Sequence, residues 1–145
     1  MKDHFTRLLF SCALCLALPA AADVVVVGNA NLPKLDAETL NKIYTGRVIQ
    51  VGGVSVVPVN LKPGNKLRGQ FLSELLNSDD ERYIAYWTVR RYVGKGAPPK
   101  EVSTTSEVLM HVLHNPGAIG YLDEADVPPG VNVVARGAKS AAGAP

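Results

Sequence analysis

The chain has 145 residues, with 15 Lys and Arg against 13 Asp and Glu for a net charge of +2, and 47% of its residues are apolar. A charge so near neutral offers no electrostatic footprint for nucleic acid or an anionic membrane surface, and the length admits one modest hydrophobic core. The two cysteines, Cys12 and Cys15, both lie near the N-terminus, so no disulfide or Cys-based metal site is expected beyond it.

Lys2 and Arg7 precede an apolar run over residues 8–18, and Pro19-Ala20-Ala21-Ala22 then supplies an Ala-x-Ala cleavage site before Asp23. This is the pattern of a secretory signal peptide, and the run is shorter than the ~20 residues a membrane-spanning helix needs. Leu14 precedes Cys15 and Phe10-Ser11 precedes Cys12, so the cysteines are misplaced for lipidation. The expected organisation is a signal peptide at 1–22, one domain at 23–136 and an Ala/Gly/Ser-rich flexible tail at 137–145. Cleavage would remove both cysteines and leave a periplasmic protein with no membrane insertion.

Val24-Val25-Val26-Val27 is a continuous β-branched run, suited to a strand buried on both faces of a mostly parallel sheet. Asp36 then caps a helix carrying Ala37, Leu40, Ile43 and Tyr44, which stops at Gly46. Gly52-Gly53 turns the chain into a second strand over residues 54–60. After Lys62-Pro63-Gly64, Asn65 caps a helix over residues 66–76 whose stripe holds Leu67, Phe71, Leu72, Leu75 and Leu76. Lys66 and Arg68 sit in its first turn against the helix macrodipole, which points to indifferent exposed charge or to an anion nearby.

Ser78-Asp79-Asp80-Glu81 reads as a capping box for a helix facing Tyr83, Ile84 and Trp87 to the core. That helix runs through Arg90-Arg91-Tyr92 to Gly94-Lys95-Gly96, and Pro98-Pro99 forces an extended connection. Thr104 with Glu107 makes a second capping box, for a helix carrying Val108, Leu109, Val112 and Leu113. Asn115-Pro116-Gly117 stops it, Ala118-Ile119-Gly120-Tyr121-Leu122 reads as a buried strand, and residues 131–136 as a last one. Strands alternating with helices make a three-layer α/β domain the expected class.

No catalytic constellation stands out, and an enzyme is not expected. There is no Gly-x-Ser-x-Gly, Gly94-Lys95-Gly96 lacks the rest of a phosphate-binding loop, and Ser103 to Ser106 lie where helix capping explains them. His111 and His114 share a helix without a third ligand at a recognised spacing, so no metal or other cofactor is implied. The strand-to-helix loop at 61–65 remains, because free N–H groups at a helix start receive anions. Asn65 there could be a simple cap or could donate to an oxyanion.

Taken in order, Val24 to Asn29, Ile43-Tyr44-Thr45-Gly46-Arg47, Val56-Val57-Pro58-Val59, Leu67-Arg68-x-x-Phe71, Tyr86-Trp87, Gly94-Lys95-Gly96-x-Pro98-Pro99 and Pro116-Gly117-Ala118-Ile119-Gly120-Tyr121 resemble the short, single-domain phosphate ABC transporter substrate-binding-like proteins. The resemblance implies one lobe of a type II periplasmic binding fold, without the other lobe. The family's larger members hold phosphate with an Arg shortly before a Ser-Gly-Thr at a helix start. Matched through Phe71, those positions fall on Leu61 and on Asn65, Lys66 and Leu67, so none keeps the family's residue.

The implied function is an exported solute-binding-like protein that takes phosphate or another small oxyanion at Gly64, Asn65, Lys66 and Arg68, with Lys62 a weaker candidate. Its partner would be an ABC transporter permease or another envelope protein. The competing expectation is a non-catalytic interaction module that keeps the fold and has lost the ligand site.

Overall fold

The computed structural model describes residues 22–137, so the expected signal peptide, apart from Ala22, and the tail beyond Gly137 lie outside it. β1 (Val24–Gly28), β4 (Val57–Leu61), β5 (Lys100–Val102), β6 (Ala118–Asp123) and β7 (Asn132–Arg136) form one sheet in the order β5-β4-β6-β1-β7. β2 (Gln50–Val51) and β3 (Val54–Ser55) make a separate hairpin. The helices are α1 (Ala37–Tyr44), α2 (Lys66–Leu76), α3 (Asp80–Tyr92) and α4 (Thr105–His114).

The sheet is mixed, which corrects the mostly parallel expectation. β4 runs parallel to β5 and β6, but β1 is antiparallel to both β6 and β7. The valine run requires only that both faces be covered, and coverage does not fix strand direction. That coverage is visible on adjacent residues of β6. Tyr121 meets Phe71 of α2 on one face, whereas a Cβ at Gly120 on the other would lie 2.4 Å from Val108 Cγ1 of α4. With α1 packed against α2, the layers are helix, sheet and helix.

Val24, Val25, Val26 and Val27 are fully buried as expected. At the centre of the α2 face, Phe71 stacks on Tyr121 at 4.0 Å and takes the Tyr44 ring edge-on at 4.7 Å. The phenols are also wired to backbone: Tyr44 donates to Val59 O at 2.9 Å, Tyr83 to Tyr44 O at 2.7 Å, and Leu61 N donates to Tyr121 Oη at 3.0 Å. Buried hydroxyls satisfied in this way let these three tyrosines fill a small core without an orphaned phenol.

Caps fall where side-chain oxygens predict them, with small shifts. Asp36, Asn65 and Thr104 accept from the first-turn N–H groups of α1, α2 and α4. For α3 the cap is Asp79, not Ser78; Asn77 ends α2 in the left-handed region and displaces the start by one residue. Glu107 folds back to Ser103 N rather than to the cap itself.

The expected strand over 54–60 breaks at Val56, where the chain leaves the hairpin and enters the sheet. Gly117 sits against that break: its φ is +73° and an added Cβ would lie 1.8 Å from Ser55 O, so only glycine fits. Beyond Pro98-Pro99, the extended connection becomes β5 by pairing with β4.

Ile84, expected in the core, is 44% exposed, and Leu113 on α4 is 51% exposed. α3 covers α2 rather than the sheet and buries only Tyr83 and Trp87, one turn apart. α4 likewise buries Val108 and Val112.

Phe71→Ala is expected to cost about 3–5 kcal/mol by opening a cavity under two aromatic neighbours, read from the urea midpoint. An unchanged midpoint would show that this ring does not hold the α2 face to the sheet.

Candidate functional site

β4 delivers the chain through Lys62-Pro63-Gly64 into α2, and Asn65 closes that helix start. Its Oδ1 accepts from Leu67 N at 2.9 Å and Arg68 N at 3.3 Å. The expected side chain is therefore present but oriented as an acceptor. Gly64 N–H is taken as well, donating to Asp80 Oδ2 at 2.9 Å.

Arg68 departs most from its expected exposed position. Its accessibility is 0%, making it the largest fully buried side chain. Nε donates to Asp80 Oδ1 at 2.5 Å, and Nη1 donates to Leu61 O at 2.7 Å and Glu101 Oε1 at 3.2 Å. The guanidinium lies over the Tyr83 ring with its carbon 5.5 Å from the centroid. Nη2 has no partner. The positive charge that opposes the helix macrodipole is thus balanced by two carboxylates, which are 31% and 37% exposed.

Gly64, Asn65 and Arg68 accordingly meet at one point, joined by Asp80 and Glu101, while the Lys66 and Lys62 side chains remain exposed at its outside. Leu61 is buried and Leu67 partly so, and both pack on the core. Asp80 and Glu101 were not singled out from the sequence. Asp80 is the surplus acid in the Ser78 to Glu81 run, since Asp79 alone suffices as cap; Glu101, on a strand hidden behind two prolines, carried no local signal.

Burial pushes the Tyr83 phenol up to about 12 and raises those of Tyr44 and Tyr121 further, so none offers a phenolate near neutral pH. His114 Nδ1 lies 2.8 Å from Met110 O, and His111 lies beside Asn115 with its pKa lowered by burial and by Lys100. Among the described residues, no three His, Cys, Asp or Glu side chains are grouped as metal ligands.

No protein-family model and no curated protein matches the sequence. Solved structures do match the fold. An ABC-type phosphate transport receptor from Vibrio cholerae superimposes with a TM-score of 0.62 at 23% identity, over 82% of this chain and 49% of the receptor. A protein from Clostridium perfringens, assigned as a phosphate ABC transporter substrate-binding protein and solved with bound phosphate, also gives 0.62, at 18% identity over 78% of this chain and 44% of that one. The chain therefore has a mixed α/β fold similar to a domain of phosphate-binding proteins, and it spans about half the length of those it matches.

Arg68→Ala is expected to destabilise the protein by about 3 kcal/mol, near the lower end for breaking a buried ion pair because both carboxylates reach water. Lys66→Ala should change stability by less than about 0.5 kcal/mol. Equal urea midpoints for the two variants would remove Arg68 from its role as a tie.

Proposed function

We propose that this chain is an exported solute-binding-like protein that takes phosphate or another small oxyanion at the start of α2, in connection with an ABC transporter. The carrying observation is the fold, shared over about four-fifths of the chain with phosphate-transport receptors, one of them solved with bound phosphate. Local chemistry adds support. Lys62 and Lys66 flank a helix start, Gly64 brings backbone close, and Arg68 places a guanidinium behind it. Asn65 caps the helix, Lys66 and Arg68 supply the attraction, and Gly64 allows the backbone to approach closely. The transporter's membrane pore and nucleotide hydrolysis belong to other subunits.

Thermal unfolding with millimolar phosphate, against sulfate and chloride at matched ionic strength, tests the reading. Phosphate at about 100 times its dissociation constant should add roughly 2.7 kcal/mol, and Lys62→Gln with Lys66→Gln should abolish the shift while the fold persists. Export is tested separately by mass spectrometry of the secreted protein, where a mature N-terminus other than Asp23 would refute the cleavage site.

A second reading, a non-catalytic interaction module, is favoured by one observation. Asp80 and Glu101 already occupy Gly64 N–H and two edges of Arg68, so an entering anion meets two carboxylates. Val89 and Tyr92 on the outside of α3 and its C-cap Val93 are 62%, 92% and 55% exposed, an apolar face such a module could use. No thermal shift with phosphate would favour this reading.

A further inference from the structure

We infer that a second, built recognition site lies beside the α2 start: a cleft that takes a singly charged organic acid with an apolar body, its acid group set between Arg68 and Arg91. The inference rests on the solute-binding reading and specifies a ligand class that inorganic phosphate does not represent. The cleft measures about 220 Å³ and lies between the 63–68 segment, α3 and the chain leading into β5. Pro63, Ile84, Trp87 and Pro98 give it apolar walls, which a phosphate ion would leave unused.

Charge selects the acid. The lining includes the guanidinium groups of Arg68 and Arg91 and the carboxylate of Glu101, a local balance of +1. Asp80 on the far edge of Arg68 brings that balance to zero, so the site gives a second negative charge no net attraction, and a monoanion is held by direct bonds to the two guanidinium groups. Arg68 is 0% exposed, and of its own three guanidinium nitrogens Nη2 alone has no partner. Buried side-chain donors are nearly always satisfied, and a ligand carboxylate would satisfy this one. Arg91 is exposed at the rim, with no hydrogen bond or ion pair of its side chain among the described residues. Thr88, by contrast, donates to Ile84 O at 2.8 Å and has no proton to spare.

The sole tryptophan of the chain, Trp87, forms part of the wall, so its emission reports occupancy directly. Purified protein is titrated with isovalerate, hexanoate and phenylacetate, with phenylacetamide as the uncharged counterpart and inorganic phosphate in parallel. The expected result is a saturable change with at least one of the three acids below about 10 mM, and none with phenylacetamide. Arg91→Gln should weaken that binding on the order of fivefold, with the circular dichroism and melting temperature unchanged. No saturable change with any of the acids, an equal response to phenylacetamide, or unaltered affinity in Arg91→Gln would each overturn the inference. The phosphate reading fails separately: an acid response without a phosphate thermal shift refutes that reading alone, and the reverse refutes the cleft alone.

Discussion

A guanidinium with no access to water organises this end of the molecule. Arg68 must be neutralised and hydrogen-bonded where it lies, because a lone buried charge costs several kcal/mol. Its four partners come from three elements: the end of β4 through Leu61 O, α3 through both Asp80 and the Tyr83 ring beneath, and β5 through Glu101. Asp80 carries the constraint one bond further, to Gly64 N–H, and so fixes the loop that enters α2. That one side chain thereby ties α3 and β5 to the loop that enters α2.

The aromatic core complements it. Tyr121 on β6 stacks on Phe71 with the ring planes only 8° apart and takes Leu61 N–H on its hydroxyl, one peptide away from the segment that Arg68 grips. Immediately before it, Gly120 leaves room for Val108 and Val112 of α4. Two consecutive residues of one strand therefore join the two helical layers, one by a large ring and the other by the absence of a side chain. Close packing on both faces explains why a chain of this length needs no disulfide in the described domain.

Function divides along the same line. The fold aligns with about half the length of a phosphate transport receptor, yet the helix start that would meet an oxyanion is largely supplied with acceptors from within the chain. Lys62 and Lys66 stay outside this closed set, and the cleft under Arg68 lies beside it. A ligand would have to compete with Asp80 in the first place, whereas in the second Arg68 Nη2 has no partner. That physical distinction separates the proposed recognition of an inorganic anion from the inferred recognition of an organic acid.

The sequence alone determined the local elements, because their causes are local. The valine run, the caps at Asp36, Asn65 and Thr104, and the stop at Asn115-Pro116-Gly117 act through neighbours within a turn. The apolar stripe of α2 and the three-layer class followed from periodicity in the same way. Strand direction was decided elsewhere, since a run buried on both faces reads alike in either orientation. Tertiary structure alone also decided that Ile84 and Leu113 face solvent, that residues 100–102 pair as a strand, and that Arg68 is buried. Each of these depends on which distant segment arrives alongside. Gly64, Asn65, Lys66 and Arg68 were legible as a group because they share one helix start, but Asp80 and Glu101, 12 and 33 residues from Arg68, enter the site only through the folded chain.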